Sequence, residues 1–388
     1  MAYNSTGTPR FWISTIQWLK SKGYLQFSNS SFGGANLNLF NLNPSITNKL
    51  EIIQDSGYNR DIGVNILEPI YWTDVIKREQ IFFMVLGHNF ADIATSDVRL
   101  QSVGGDYKNL ATTEVVNSIQ NATPSYNGYS IAIGDNGGDH SDGNNVGLKF
   151  RFDWDINEYG QGNFFNIGSI LYGNYYDMPH SANLDMSMSF EMDGIKTLET
   201  LSGSTLVHRN YTQAPMWGDL GAWELGKSKN TQYFGRQAER DLGLQGLRKS
   251  GRRIWNLSFS YLQDQDVFPV ISNLTNYEHL QPSGTYTHPQ TGVQTEYTEG
   301  ATYINTGDES TYIAGTSRGY ALNNFASNVN FIAEVLHKTN GGALPFVFQP
   351  DKDDNANFAI AIIDQDSISF KQVANHVYDV SITIREVW

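Results

Sequence analysis

The chain contains no cysteine. Disulfides, thiolate metal sites and cysteine nucleophiles are therefore excluded, and the redox compartment is left open. Basic residues are scarce: 26 Lys and Arg stand against 40 Asp and Glu, giving a net charge of −14 and a pI near 4.9. Only "GLRKSGRR" (Gly246–Arg253) is locally basic. A nucleic-acid groove needs clustered cations, so nucleic acid is not an expected partner. The acidic excess favours solubility and repulsion between like copies. No run approaches the ~20 apolar residues that span a bilayer, so no membrane insertion is expected. The opening "MAYNSTGTPRFWISTIQWLK" lacks a basic start and a small-residue cleavage site. It reads as no signal peptide, with synthesis in a cytoplasm as the expectation.

Catalytic signatures are equally sparse. There is no G-x-S-x-G nucleophile elbow, and no Walker loop follows Gly33–Gly34 or Gly104–Gly105. The eight histidines stand singly, with no H-x-x-x-H pair to hold a metal. With 40 acidic residues, a chance pair such as those in "DWDINE" (Asp153–Glu158) says nothing about glycoside hydrolysis. The chain is therefore expected not to be an enzyme, although a glycan or cell-wall hydrolase stays open as a further reading. One loop, "GDNGGDHSDGNNVG" (Gly134–Gly147), gathers Asp135, Asp139 and Asp142 beside His140. Such oxygen-rich, glycine-rich loops can take calcium. The spacing departs from the twelve-residue calcium loop and no Glu closes it, so a polar hairpin tip is the plainer reading. No other cofactor is expected.

What is present is apolar and aromatic: 40% hydrophobic and 13% aromatic residues, ample for packed cores. At one domain per ~150 residues, the 388-residue chain suggests two or three domains. Residues 11–22, "FWISTIQWLKSK", predict a short amphipathic packing helix with Trp12, Ile16 and Leu19 on one side and Gly23 as its cap. From Tyr24 to Tyr176 short runs alternate with Asn/Gly turns. "YLQF", "ANLNLFNL", "IFFMVLGHNF", "YSIAIG", "GLKFRFDW" and "FFNIGSILYG" read as strands of a β-sandwich or jelly roll. Period-two alternation puts Leu148, Phe150, Phe152 and Trp154 on one face. Aromatics in this region could stack on a sugar, or simply fill the core.

"DMPHSANLDMSM" (Asp177–Met188) reads as a crossover into a second unit. "GIKTLET" and "GSTLVHRN" predict a hairpin about Ser202–Gly203. "RRIWNLSFSYL" (Arg252–Leu262) is the strongest strand, with Trp255, Leu257, Phe259 and Tyr261 forming an apolar face. Residues 263–326 are polar and read as an extended arm or loop, since so long a loop inside a compact domain is rare. "NVNFIAEVLHKTNGG" predicts a helix closed by Asn340–Gly341. "LPFVFQP", "FAIAIID", "SISFKQV" and "VYDVSITIREVW" predict four strands, the last with Tyr378, Val380, Ile382, Ile384 and Glu386 on one face.

The C-terminal run of helix "FIAEVLHKTNGG", strand "ALPFVFQPD" and strands "FAIAI", "SISFKQV" and "VYDVSITIREVW" resembles the distal-tail and minor-tail proteins of tailed bacteriophages. In that family a helix crosses the sheet, a glycine turn leads to a short "PF-aromatic-x-P" strand, and the last strand ends in Glu-Val. "GIKTLET…LVH" and "GRRIWNLSFSYL" look like the opening strands of the same domain, so the resemblance covers about 190–388. It implies a tail-tube-like β-sandwich or barrel with one helix at 181–388. Trp255, Phe259, Gly341, Gly342, Pro345, Phe346, Tyr378, Ile382 and Trp388 would be its structural and assembly residues. It also implies a structural virion protein in the tail, with copies of itself in a ring, by family habit hexameric, and tail-tube and tail-tip proteins as partners. Residues 1–180 are similar in texture to galactose-binding-type jelly-roll modules. That leaves a host-surface glycan as an alternative partner, and a capsid-decorating or head–tail connector role as another.

Overall fold

The computed structural model describes residues 7–28, 37–43, 48–51, 59–67, 75–76, 80–88, 95–102, 114–116, 128–134, 147–154, 164–191, 195–209, 252–268, 284–287, 294–297, 330–354 and 357–387. Strands dominate them. β1 (Arg10–Trp12) leads into helix α1 (Thr15–Lys22) and β2 (Leu25–Ser28). After a 3-10 turn at Leu37–Phe40 come β3 (Asn48–Glu51), β4 (Asn59–Ile66), β5 (Ile81–His88), β6 (Thr95–Ser102) and β7 (Glu114–Val116). β8 (Gly128–Gly134), β9 (Gly147–Trp154), β10 (Phe164–Ile167) and β11 (Ser169–Asp177) follow. Next are β12 (Ser187–Glu191), β13 (Ile195–Glu199), β14 (Thr205–Arg209) and β15 (Arg252–Gln263), then one helical turn at Asp264–Val267. β16 (Gly284–Thr287) and β17 (Gln294–Tyr297) precede helix α2 (Phe331–His337). The chain closes with β18 (Phe346–Gln349), β19 (Ala359–Ile363), β20 (Phe370–Ala374) and β21 (Val377–Glu386).

The fold is mainly β and antiparallel. One 11-stranded sheet runs β12-β15-β21-β19-β18-β1-β11-β5-β8-β7, with β20 joined to β21. The expected boundary at 180/181 falls between β11 and β12, yet the hydrogen-bonded sheet crosses it. The crossing strand is β1: Phe11 stands opposite Tyr176 on one side and Phe348 on the other. A three-residue strand therefore joins the first half of the chain to the second. A second sheet, β2-β4-β9-β6, stacks on this frame in the manner of a sandwich. Ile62 and Val64 of β4 and Leu148 and Phe150 of β9 share a core with Phe83 and Val85 of β5 and with Tyr172 of β11.

Strand β5 is apolar at nearly every position because both its faces are covered. Ile81, Phe83 and Val85 enter that core, while Phe82, Met84 and Leu86 enter another with Trp12 and Leu171. The third core lies under α2. It collects Phe11 of β1, Trp255, Leu257 and Phe259 of β15, Phe346 and Phe348 of β18, and Val380, Ile382 and Ile384 of β21. Gly173 of β11 is where backbones close up: a Cβ there would lie 2.1 Å from the carbonyl oxygen of Ile13.

Several sequence expectations are corrected. Trp12 belongs to β1 rather than to the helix, which starts at Thr15 with Ser14 as its N-cap. "ANLNLFNL" forms the 3-10 turn at Leu37–Phe40 rather than a strand. "FFNIGSILYG" is two strands broken at Gly168, with β10 paired to β3 and β11 to β5. In β15 the alternation slips at a bulge between Phe259 and Leu262. Tyr261 sits at φ 64 and is 78% exposed, and Leu262 takes the buried place instead. A bulge inserts one residue, and every side chain beyond it changes face.

Candidate assembly surface

Among the described residues, β12 is an end strand of the large sheet. β12 pairs with β15 on one side, Ser187 opposite Asn256 through Glu191 opposite Arg252, and with no other strand among the described residues. An unpaired edge presents a row of backbone donors and acceptors to any strand that arrives. Phe190 of this strand is exposed, as is Leu184 just before it.

A separate two-stranded hairpin follows β12 in the chain. β13 pairs with β14 from Ile195 opposite Arg209 to Glu199 opposite Thr205, and three residues, 192–194, separate β12 from β13. The turn is fixed by Gly203 at φ 79, by Thr200 N–H donating to the Ser204 carbonyl and by Ser204 N–H donating to Thr200 Oγ1. The hairpin pairs with no other strand among the described residues, and its apolar side chains face water. Leu198 is 65% exposed, Leu201 113%, Leu206 59% and Val207 52%. Leu198 and Leu206 are direct cross-strand partners and share one face. A lone two-stranded hairpin is marginal in water, and side chains this apolar gain only when something covers them.

The root of this arm is held by ions. Arg385 of β21 pairs with Glu191 at the end of β12. Glu386 is buried and receives two donors from the Arg253 guanidinium, at 3.0 and 3.2 Å, plus the Arg253 backbone N–H at 3.1 Å. Arg253 also donates to Asn357 Oδ1 at 2.7 Å and to the Phe358 carbonyl at 2.9 Å, and it lies over the Trp255 ring. The polar residue in the otherwise apolar face of β21 is thus a fully partnered carboxylate.

None of the described residues singled out from sequence belongs to β12 or to the hairpin. Trp255, Phe259, Phe346 and Ile382 are buried core. Tyr378 is half-buried against Phe268, ring centroids 5.0 Å apart. Asn340, Gly341 and Gly342 have φ of 53, 73 and 92, the left-handed region that suits glycine. A Cβ on Gly342 would meet Ile363 at 2.6 Å. Pro345 is half-buried immediately before β18. Asp135, Asp139, Asp142 and Trp388 lie outside the described residues, as does most of 263–326 apart from 263–268 and the β16–β17 pair. Among the described residues no group of three or more His, Asp or Glu side chains is placed to hold a metal, and no helix is long and apolar enough to cross a membrane. The exposed leucines were missed because "TLVH" reads as any hairpin strand; the signal lay in apolar residues on both faces of a short, isolated pair.

A second polar cluster lies between the helices. Glu334 and Lys338 of the α2 region are both fully buried and paired at 2.6 Å. Lys338 also donates to the Val75 carbonyl at 2.9 Å. Burial pushes the Glu334 carboxyl up to about 7 against the opposing pull of Lys338. Burial, with Lys338 and Lys22 adding to it, holds the His337 imidazole down to about 3. That ring lies on Trp18 of α1, centroids 5.2 Å apart.

Comparisons with protein-family models, with curated proteins and with solved structures each found no match.

Proposed function

We propose that the chain is a structural assembly subunit, a virion protein of a tailed bacteriophage at the distal tail or baseplate. It joins copies of itself into a ring on the tail tube, with sixfold symmetry. The observation that carries this reading is the β13–β14 hairpin, a separate two-stranded sheet that follows edge strand β12 in the chain and exposes Leu198, Leu201, Leu206 and Val207. A contact in which one copy's hairpin meets a different patch on the next is heterologous, and such contacts close into rings when the rotation permits. The C-terminal sequence pattern supports the tail assignment. Aromatics described in residues 24–176, including Phe40, Phe82, Phe83, Phe150 and Tyr172, fill cores, which gives the sugar-binding alternative no support.

The test is a hairpin variant, Leu198→Ser/Leu206→Ser, compared with the unaltered chain by light scattering and particle imaging. Both side chains are exposed, so the sheets are expected to fold normally while ring formation is lost. Rings that persist unchanged would remove the hairpin from the interface and this reading with it.

A further inference from the structure

Among the described residues, the large apolar and aromatic side chains that are more than half exposed fall in two places. One is the β13–β14 hairpin. The other is the pair Leu184 and Tyr261, 102% and 78% exposed. A shared set of bonds places this pair. Asn183 N–H donates to the Ser258 carbonyl at 2.8 Å and Asn183 Nδ2 donates to Ser260 Oγ at 2.9 Å. Leu184 and Tyr261 each stand one residue beyond that bonded pair.

Folding alone does not account for Tyr261. Its φ of 64 lies in the left-handed region, where a bulky residue is an outlier and glycine is unstrained. The bulge is held by Tyr261 N–H donating to Asp379 Oδ1 at 3.2 Å and by Leu262 taking the buried place. Neither uses the phenol ring. A strained residue whose ring gains no burial points to a role outside the subunit's own fold.

The two places also differ in charge. Residues 195–209 carry Lys196 and Arg209 against Glu199, a net +1 in a chain of −14. Beside the pair stand Asp185, which accepts from Ser258 Oγ at 2.7 Å, and Asp379, which faces Lys371 across the β20–β21 ladder. No cation among the described residues pairs with Asp185, so this place is net acidic. Position separates them too. The hairpin follows Glu191, which stands opposite Arg252. Arg252 and Tyr261 lie near opposite ends of the twelve-residue β15, about 30 Å apart along the strand. Two unlike patches at opposite ends of one subunit are what a heterologous, head-to-tail contact needs.

We propose that the hairpin of one copy docks on the Leu184–Tyr261 pair of the next, with the Tyr261 ring as its anchor. This inference rests on the ring reading and names the two surfaces that meet. Exposed tyrosines that become covered are common interface anchors.

The chain has no cysteine, so introduced thiols are the only ones present. The test uses the full chain with Leu201→Cys/Tyr261→Cys, treated with a short thiol-to-thiol cross-linker. It should give a ladder of covalent multimers, while each single variant stays uncoupled. Leu201→Cys/Leu184→Cys, which keeps the tyrosine, should give the same ladder. Tyr261→Gly should not lower the subunit's melting temperature, yet should raise the concentration at half-assembly about tenfold, the loss of one anchoring side chain. Rings that form with no ladder from either double variant, or assembly unaffected by Tyr261→Gly, would overturn the pairing and leave the ring reading standing. A covalent dimer from Leu201→Cys alone, or no multimer of any kind, would overturn both.

Discussion

His337→Phe should uncover a pH dependence that the unaltered seam, where His337 lies on Trp18, hides. Glu334 rises from an ordinary 4.5 to about 7 in the folded chain, so the folded state holds that proton more tightly. Its contribution is fully present below 4.5 and is lost as pH rises towards 7. His337 falls from 6.5 to about 3, so its contribution is present above 6.5 and is lost as pH falls towards 3. Between 4.5 and 6.5 the two slopes oppose each other and cancel. The charged groups facing this pair are Lys338 and Lys22. Phenylalanine keeps a ring on Trp18 but cannot titrate. The variant seam should therefore lose about 3 kcal/mol between pH 4.5 and 6.5, at about 1.4 kcal/mol per pH unit, where the unaltered seam is flat. The assay is hydrogen exchange of residues 331–337 across that range, corrected for the intrinsic rate at each pH. A flat profile in the variant, or a steep one in the unaltered chain, would refute the reasoning.

Further outcomes follow from the frame. Arg253→Met leaves the Glu386 carboxylate buried without its guanidinium and should cost about 3–5 kcal/mol in denaturant unfolding, whereas Arg253→Met/Glu386→Leu should recover most of the loss. Gly173→Ala forces a Cβ onto the Ile13 carbonyl and should lower the melting temperature markedly, while Gly23→Ala meets no neighbouring atom and should cost only about 1 kcal/mol for its left-handed backbone. Ending the chain before Val377 removes β21, the strand that β15, β19 and β20 all pair with, and should abolish both folding and ring formation.

The last strand was legible because one of its faces is buried and the other wetter. Val380, Ile382 and Ile384 alternate with Ser381, Thr383 and Arg385, and the structure keeps that alternation. Tyr261 escaped because a bulge is a backbone event that apolar alternation does not encode. Trp12 escaped for a related reason: helical spacing to Ile16 and Leu19 is real, but the pairing of Phe11 and Trp12 with β11 and β18 outweighs it, and tertiary context commonly overrides local propensity. The sheet's passage across residue 180 depends on β1, a partner more than 160 residues away from β11 in sequence, which no local window contains. The hairpin itself was readable from its turn, whereas its isolation from the other strands was not.

The most direct test of the assembly account is the mass of the full-length chain in solution, measured over a range of concentrations with particle images alongside. The account predicts closed rings of several copies, sixfold by expectation. A monomer at every concentration, with the hairpin leucines still open to solvent, would contradict it.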